Sequence, residues 1–520
     1  MFKAIFAVLF ICVNGYAANT EQRFFDNTGG LVDRFSPLLI SEKNATEISN
    51  VTLDDRGVLS KRNGQDLVVS TGALTRQPVL GGGYHDTASG TDFFGVVVGT
   101  NVFRTSNSFG GTFTNVTSTV VVTNAATNLI QTTSFRDQLI FCSESNPPFK
   151  LGAATNAVII SSAPAIMKTC ATYGNYLVGA NTTESSVAYP SRVRWSDINN
   201  PDLWPTNNYI DVEPDDGDRI TAVIAFEDSV YIFKKRSIYR MLITGEEGAF
   251  AFIVRPVARD IGAWSKMSVK VLNNTGIMFQ AQNGIYQFDG ESFQPISDPI
   301  QRTIDTVSRT QWASTVAAVY PKRNQYWIAI ATSTSQNTQV LAYDYVQKAW
   351  TTYSGMSVNM LAQAEDSVGN NLLISGDYLG NIYKQDTGTT DQLDGVNTAI
   401  AASYVTPHLT FGSASVHKAF KYLYIFTVID SSATLSISAG YDFSSAYEFN
   451  TTVDLGQAGA LYDTAIYDTD VYPSIQYKVS RIELNRSARD LKLKFLNQGS
   501  DSALGVIGWA VVYSVEDWRQ

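Results

Sequence analysis

The chain has 520 residues, 44% apolar and only 17% charged, and its 48 acidic against 38 basic residues give a net charge of -10. This length exceeds one ordinary domain, so we expect two domains or one large repeat architecture, and the 26 Tyr and 27 Phe favour strands over helices. The acidic balance argues against a protein that grips nucleic acid over a wide basic surface, and it suits an assembly subunit or a wall that nucleic acid slides past.

Residues 1–17 have the layout of a secretory signal peptide. Lys3 precedes an apolar run from Ala4 to Val13, and the small residues Gly15 and Ala17 predict cleavage after Ala17. The alternative is a buried or disordered N-terminal segment. The run is too short to span a bilayer comfortably, and no later stretch approaches 18 apolar residues, so no membrane span is expected.

Cysteine usage leaves the redox compartment open. Cys12 would leave with the signal, and only Cys142 and Cys170 remain. These two residues either form one disulfide in an oxidising compartment or stay as buried thiols. Their spacing matches no metal-binding pattern.

Beyond a predicted N-terminal arm and hairpin (residues 18–64), short strands separated by turn signals fill residues 65–388. Residues 275–296, "TGIMFQAQNGIYQFDGESFQPI", predict three consecutive short strands. One helix is expected from Pro299 to Trp312, where apolar residues recur at helical spacing. Regular short strands of this kind indicate a sandwich, barrel or propeller.

A β-branched residue followed by an aromatic recurs along this region. The clearest copies are Ile238-Tyr239, Ile285-Tyr286 and Ile382-Tyr383. Including looser copies, the aromatic series is Phe103, Phe149, Trp195, Tyr239, Tyr286, Tyr343 and Tyr383, with steps of 46, 46, 44, 47, 57 and 40 residues. A repeat of this length holds about four short strands, which is what a propeller blade requires. The sequence therefore predicts an all-β fold with a β-propeller of about seven blades, within a range of six to eight. The aromatics are interpreted as packing residues between blades, with a stacking role toward a ligand as the alternative.

The length and spacing of the predicted strands change after the Gly/Thr/Asp-rich stretch 386–397. Residues 398–520 contain longer strands with cleaner alternation, at 418–429, 433–442, 477–485, 490–497 and 504–516. This pattern predicts a separate C-terminal β-sandwich domain.

Signals for chemistry are weak. The three histidines, His85, His408 and His417, lie in different predicted elements, so neither a His-based metal site nor a Ser-His-Asp triad is indicated. There is no Walker loop, no GxGxxG opening a helix and no HExxH motif. We nominate no catalytic, cofactor-binding or metal-binding residue, and no cofactor is expected.

Two stretches invite a functional interpretation. Residues 211–219, "DVEPDDGDR", bunch five carboxylates as calcium loops do, but the EF-hand spacing fails and a solvated turn is the simpler interpretation. Residues 106–113, "SNSFGGTF", resemble the Asp-box hairpin of sialidase-type propellers. Ser108 stands where the Asp belongs and the motif occurs once, so a plain turn is favoured.

The most specific sequence patterns lie in residues 29–64 and 192–241. The pattern in the first segment consists of Gly29–Leu31, Ser36-Pro37, Ala45-Thr46, Asn50-Val51, Gly57-Val58-Leu59, Arg62 and Gly64. In the second segment it consists of Trp195, Ser196, Pro201, Trp204, Asp218, Ile220, Phe226, Phe233, Lys234 and Ile238-Tyr239. With residues 283–290 and 342–350, these positions span most of residues 29–388. They resemble the tail-tube nozzle and head-tail stabilisation proteins of short-tailed, podovirus-type phages.

The resemblance implies a non-enzymatic virion structural protein. Members of this family look like β-propeller subunits that form a homo-oligomeric ring, with a hexamer as one option, below the portal and adaptor. Such a ring would contact tail fibres or a tip and line the DNA exit channel without reading sequence. The signal-like N-terminus departs from the family pattern, because virion proteins need no export. The alternatives are therefore a secreted or periplasmic propeller that binds glycans or acts like a glycosidase, and a surface adhesion protein that binds through the sandwich.

Overall fold

The computed structural model describes residues 20–53, 57–69, 76–107, 109, 112–272, 275–332, 335–428, 433–455, 477–500 and 504–516. The signal-like segment 1–17 lies outside the described residues, as do residues 108, 110 and 111 of the Asp-box-like stretch. No helix in the described part of the chain is both long and apolar enough to cross a bilayer.

In the described part of the chain, six antiparallel four-stranded sheets and four antiparallel strands of a seventh, six-stranded sheet form the blades of a propeller. The strands of blades 1 to 4, given from the axis outward, are Val79–His85, Phe93–Val98, Asn101–Ser106 and Thr114–Asn115; Gln131–Phe135, Gln138–Cys142, Phe149–Gly152 and Val158–Ile159; Ile166–Tyr173, Tyr176–Glu184, Val187–Trp195 and Tyr209–Asp211; Ile220–Phe226, Ser229–Lys234, Ile238–Ile243 and Phe252–Ala258. Those of blades 5 to 7 are Lys270–Leu272, Gly276–Ala281, Gly284–Phe288 and Phe293–Pro295; Val316–Tyr320, Gln325–Ile330, Gln339–Asp344 and Ala349–Ser354; Met360–Glu365, Asn371–Gly376, Ile382–Gln385 and Gln65–Val69.

The blades close into a ring around one axis. The first strand of each blade contacts the first strand of the next, and the first strands of blades 7 and 1 complete the circle. A lone four-stranded sheet would leave both faces open to water, whereas a ring buries each face against a neighbour. The predicted all-β propeller of about seven blades is confirmed, with seven blades observed.

The ring is sealed by a strand from the N-terminal side of the chain. Gln65–Val69 pairs antiparallel with Ile382–Gln385 as the outermost strand of blade 7, with Gln65 opposite Gln385 and Val69 opposite Ile382. The hairpin formed by Thr390–Leu393 and Val396–Ala399 extends the same sheet outward. Because the first and last segments of the propeller share one blade, the ring cannot open without breaking this sheet.

The remaining strands form a unit of two sheets that share one buried core. One sheet contains Thr20–Phe25, Val51–Leu53, Leu59–Lys61, Lys418–Val428, Tyr477–Ala488 and Gly505–Val515, and the other contains Glu47–Ser49, Ala402–Val405, Thr434–Tyr441, Phe449–Asp454 and Leu491–Asn497. Trp509 of the first sheet packs on Tyr404 and Phe495 of the second, with ring centroids 6.0 and 5.1 Å apart. Four strands come from residues 20–61, so the expected N-terminal arm is built into both sheets.

The described residues contain little helix, and the helix expected from Pro299 to Trp312 is much shorter in the structure. It consists of Gln301–Asp305, preceded by the 3-10 turn Asp298–Ile300 and followed by another at Trp312–Ser314. The Asp33 carboxylate accepts hydrogen bonds from the N–H groups of Arg302 and Thr303 at 3.1 and 2.9 Å, which ties the N-terminal segment to the helix start. The other 3-10 turns are Gly248–Phe250, Lys266–Ser268 and Pro321–Arg323.

Cys142 and Cys170 form a disulfide between the second strand of blade 2 and the first strand of blade 3. Of the two states left open by the sequence, the structure therefore has the paired one. We expect Cys142→Ser to lower the free energy of unfolding by about 3 kcal/mol, because the bond closes a loop of 28 residues. Urea unfolding of the oxidised proteins measures this loss. Prior reduction should remove the difference between the two proteins, and a persistent difference would instead indicate a packing defect.

Candidate functional site: the axial cavity and the blade junctions

The seven repeat aromatics fall one to a blade, but they do not all face the same neighbouring blade. Each lies on the third strand of its own blade, and in order from blade 1 to blade 7 they are Phe103, Phe149, Trp195, Tyr239, Tyr286, Tyr343 and Tyr383. All except Tyr286 are buried. Trp195 and Tyr239, from blades 3 and 4, enter one hydrophobic cluster between those blades, and Phe103 packs among residues of blades 7 and 1.

Tyr286 has a different environment. Its ring stacks on Phe279 of the same blade with centroids 6.0 Å apart, and its side chain is half-buried. It also lines a peripheral cavity of about 450 Å³ together with Arg34, Asp298 and Trp312. A purely inter-blade interpretation therefore omits part of what surrounds Tyr286.

Three carboxylates of the acidic loop 211–219, those of Asp211, Glu213 and Asp216, are bound by cations rather than arranged around a metal. Arg192 donates to Asp211 with two bonds of 2.8 Å, and Arg259 donates to Glu213 at 2.7 and 3.0 Å. Within the described ranges, no three His, Cys, Asp or Glu side chains lie close enough together to hold a metal ion. The loop serves as a joint between blades 3 and 4.

Lys234 lies at the centre of this joint. Its side chain has no solvent exposure, and its ammonium donates to Asp216 Oδ2 at 2.6 Å and to the Glu213 carbonyl at 3.0 Å. Tyr239, one of the repeat aromatics, donates its hydroxyl to Glu213 Oε2 at 2.7 Å. A buried cation is tolerated only when acceptors surround it, so the loop conformation and the burial of Lys234 depend on each other.

A second buried ion pair joins the two-sheet unit to the propeller. The Arg62 guanidinium donates two bonds to the Asp391 carboxylate at 2.6 and 2.9 Å, and both side chains are almost fully buried. Its other donors reach Asn50 Oδ1 at 2.9 Å, the Asn63 carbonyl at 3.0 Å and the Ser354 carbonyl at 3.1 Å. All five guanidinium N–H groups are thereby used. Arg62 links the N-terminal segment, blade 6 and the hairpin beyond blade 7.

The propeller axis contains a cavity of about 350 Å³. The first strands of blades 1, 2, 3, 4, 5 and 7 line it, and its polar groups include Gln131, Thr133, Thr172 and Gln363. This volume is at the lower end of the range for small-molecule pockets, roughly 300–1,000 Å³. A DNA duplex, whose major groove alone is about 12 Å wide, does not fit in it.

A charged bridge crosses the axis beside this cavity. Glu144, from blade 2, accepts from the Lys266 ammonium at 3.0 Å, and Lys266 immediately precedes blade 5 on the opposite side of the ring. Lys266 also donates to the Lys168 carbonyl of blade 3 at 2.9 Å. Met267, the next residue, lines the cavity. The bridge therefore ties three blades together across the axis.

Among the described residues that line the cavity, Lys270 is the one with a charged side chain. It lies on the first strand of blade 5 and is half-buried, and it has no hydrogen-bond or ion-pair partner among the described residues. Burial lowers the pKa of its ammonium from the ordinary 10.5 to about 8, because the charged form loses hydration. Nothing in the local sequence "MSVKVL" marked this position, since a lysine between apolar residues usually indicates a strand with one wet face.

We expect Lys270→Met to raise the free energy of unfolding at pH 7 by roughly 1–2 kcal/mol. A lysine whose pKa is lowered by folding binds protons more readily when unfolded, so its protonation favours unfolding. The penalty is complete below pH 8 and declines as the pH rises toward 10.5. Urea unfolding of variant and parent at pH 7 and pH 10 tests this. An advantage that is equal at both pH values would contradict it.

The histidines are separate from one another, as the sequence suggested. His85 Nδ1 lies 2.9 Å from the Ser134 hydroxyl, but its Nε2 is buried without a hydrogen-bond partner among the described residues, so no third group orients the ring as a triad requires. Burial lowers the pKa of His85. His408 Nδ1 lies 2.6 Å from Asp490 Oδ2, in the two-sheet unit. His417 also lies in that unit, where its carbonyl accepts from the Glu516 N–H.

No protein-family model matches the chain, and no curated protein matches it. Among solved structures, the Pan2 WD40 domain of Neurospora crassa is 9% identical with a TM-score of 0.38, over 63% of this chain and 98% of that one. YCF48 from Cyanidioschyzon merolae is 12% identical with a TM-score of 0.37, over 60% and 96%. BamB from Moraxella catarrhalis is 11% identical with a TM-score of 0.34, over 59% and 82%. Similarities at this level concern the fold alone and say nothing about function.

Proposed function

We propose that this chain is a non-enzymatic virion structural protein, a tail-nozzle or head-tail stabilisation subunit of a short-tailed phage. The observation that carries the proposal is the position of the N-terminal motif residues. Those shared with that family, including Gly30, Asn50, Arg62 and Gly64, lie where the two-sheet unit meets the propeller. A motif that builds the junction between two parts of a fold is what a structural protein requires.

Two positions of the motif require glycine for steric reasons. A Cβ on Gly64 would lie 1.8 Å from the Thr390 carbonyl oxygen, so no larger residue fits there. Gly30 has a φ of +70°, and a Cβ there would lie 2.8 Å from Ala349 on the outer strand of blade 6. The next residue, Leu31, donates its N–H to the Trp350 carbonyl at 2.8 Å. These contacts support an N-terminal segment that is locked onto the propeller.

The proposed assembly is a homo-oligomeric ring, with a hexamer as one option. Its support is an apolar loop directly after Asp33, in which Phe35, Leu38 and Leu39 are exposed and Leu39 is 78% exposed. Neighbouring exposed apolar side chains typically mark a contact with another protein. In the ring we place the adaptor and portal above these subunits and fibres or a tip below them.

DNA would pass between subunits rather than through one of them. The axial cavity of a single propeller is too small for a duplex, so the channel must be enclosed by several copies. The net charge of -10 disfavours adhesion of phosphate backbones to such a wall. Passage without sequence recognition follows from this arrangement.

The second candidate function is a secreted or periplasmic propeller that binds glycans or acts like a glycosidase. One specific observation favours it, the Cys142–Cys170 disulfide, because such bonds persist mainly in oxidising compartments. The signal-like residues 1–17 point the same way.

N-terminal sequencing combined with particle purification separates the two functions. A structural subunit predicts an intact chain that co-purifies with virus particles and is released from them as a multimer of defined mass. A mature chain beginning near residue 18 in the periplasmic fraction, and missing from particles, would overturn the structural proposal.

A further inference from the structure

The axial cavity is large enough for a small molecule, and it contains the ammonium of Lys270 without a counter-charge. The lining that the structure describes includes Lys270 but no Asp or Glu, so no carboxylate in the wall balances the ammonium. A charge in low-dielectric surroundings is costly unless a partner of opposite sign or several acceptors satisfy it. Lys234 and Arg62, the two buried cations described above, both have such partners, and Lys270 does not.

Hydroxyl groups line the same cavity. Thr133 and Thr172, from neighbouring blades, are 3.3 Å apart, and either hydroxyl can be the donor. Whichever one donates, the hydrogen of the other is free to point into the cavity. An oxyanion accepts several hydrogen bonds from hydroxyl and ammonium groups, whereas a cation would be repelled by Lys270 and a neutral ligand would leave its charge unbalanced.

The Glu144 carboxylate of the charged bridge beside the cavity does not act as the counter-charge of Lys270. The Glu144 carboxylate is already bound by Lys266 at 3.0 Å and lies 3.7 Å from the Lys168 ammonium. Its negative charge is therefore compensated locally by two lysines, and it does not neutralise Lys270.

We propose that the axial cavity is a binding site for a small oxyanion, a phosphate-sized or carboxylate-bearing molecule, held by the Lys270 ammonium with hydroxyl groups of the first strands. The site is independent of the proposed assembly role, because the cavity lies inside a single propeller. The cavity volume of about 350 Å³ limits the ligand to a small molecule.

Titration calorimetry on the full chain tests this site with two probes, inorganic phosphate and acetate, in Tris buffer at constant ionic strength. We expect saturable binding of at least one probe by the parent protein, and binding at least tenfold weaker in Lys270→Met. The matched control is Lys348→Met, which makes the same change at an exposed lysine on the periphery of blade 6. Preference for phosphate or for acetate identifies the ligand class. Absence of saturable binding for both probes, or unchanged binding in Lys270→Met, would overturn the proposal.

A second measurement needs no variant. Amine acylation of the parent protein, followed by peptide mass spectrometry, reports the reactivity of each lysine. The bound probe should reduce labelling of Lys270 at least fivefold and leave Lys348 unchanged. Equal labelling of Lys270 with and without the probe would reject the site even if Lys270→Met failed to fold.

Discussion

Replacing Arg62 with alanine is expected to lower the free energy of unfolding by about 3–5 kcal/mol. The substitution removes five hydrogen bonds at once and leaves the Asp391 carboxylate buried without its cation. It also leaves Asn50 Oδ1 and the Ser354 carbonyl short of a donor. Urea unfolding followed by tryptophan fluorescence measures the loss. Because Arg62 joins the two-sheet unit to the propeller, we also expect the single unfolding transition of the parent to split in the variant into one transition for each part.

Arg259→Ala is the matched control for this prediction. Arg259 also forms two hydrogen bonds with one carboxylate, at 2.7 and 3.0 Å to Glu213, but the pair is exposed to solvent. Water and salt screen exposed pairs, so we expect no measurable change. Arg62→Lys should recover only a minor part of the loss, because an ammonium cannot reproduce the planar fork. If Arg62→Ala and Arg259→Ala had equal effects, burial would not be the cause.

The propeller could be predicted because its repeat is visible as a short residue pattern that recurs along the sequence. One aromatic on the third strand of each blade, from Phe103 to Tyr383, recurs at steps of 40 to 57 residues, which is the length that four short strands and their turns occupy. The step of 57 residues before Tyr343 also has a local cause, because it contains the helix Gln301–Asp305 and its flanking turns. Local pattern therefore predicted the fold class and limited the blade number to between six and eight.

The long-range connections could not be predicted in this way. Gln65 and Gln385, whose side chains hydrogen-bond at 2.7 Å within blade 7, are 320 residues apart. The strands Glu47–Ser49 and Leu59–Lys61 are too short to show alternation, and each pairs with a strand beyond residue 400. Arg62 was noticed as part of a motif, yet nothing in the sequence indicated Asp391 as its partner.

The candidate site depended on burial, which periodicity does not reveal. Lys234 and Lys270 look alike in sequence, since each ends or interrupts a short apolar strand. In the structure Lys234 lies against an acidic loop, whereas Lys270 faces the axial cavity without a carboxylate nearby. The difference arises from which blade segments surround each ammonium, and it is visible only after the ring has closed.

The second large effect on stability is expected at the buried ion pair of Lys234 and Asp216, where removing the carboxylate should cost more than removing the cation. We expect Asp216→Ala to lower the free energy of unfolding by about 3–5 kcal/mol, because it leaves a fully buried ammonium with the Glu213 carbonyl as its remaining acceptor. Lys234→Met should cost at least 2 kcal/mol less, because it replaces the cation with an apolar side chain of similar length. The freed Asp216 carboxylate, 25% exposed, can then turn to water.

Asp215→Ala provides the matched control within the same loop. Asp215 is exposed and has no hydrogen-bond or ion-pair partner in the described part of the chain, so its loss should leave the unfolding midpoint unchanged. The order of stability expected from urea unfolding is therefore Asp215→Ala, then Lys234→Met, then Asp216→Ala. If Lys234→Met were the least stable of the three, the joint between blades 3 and 4 would depend on the cation itself, as a strongly favourable ion pair requires. The expected order instead means that the acidic loop is retained to satisfy a lysine that the propeller has already buried.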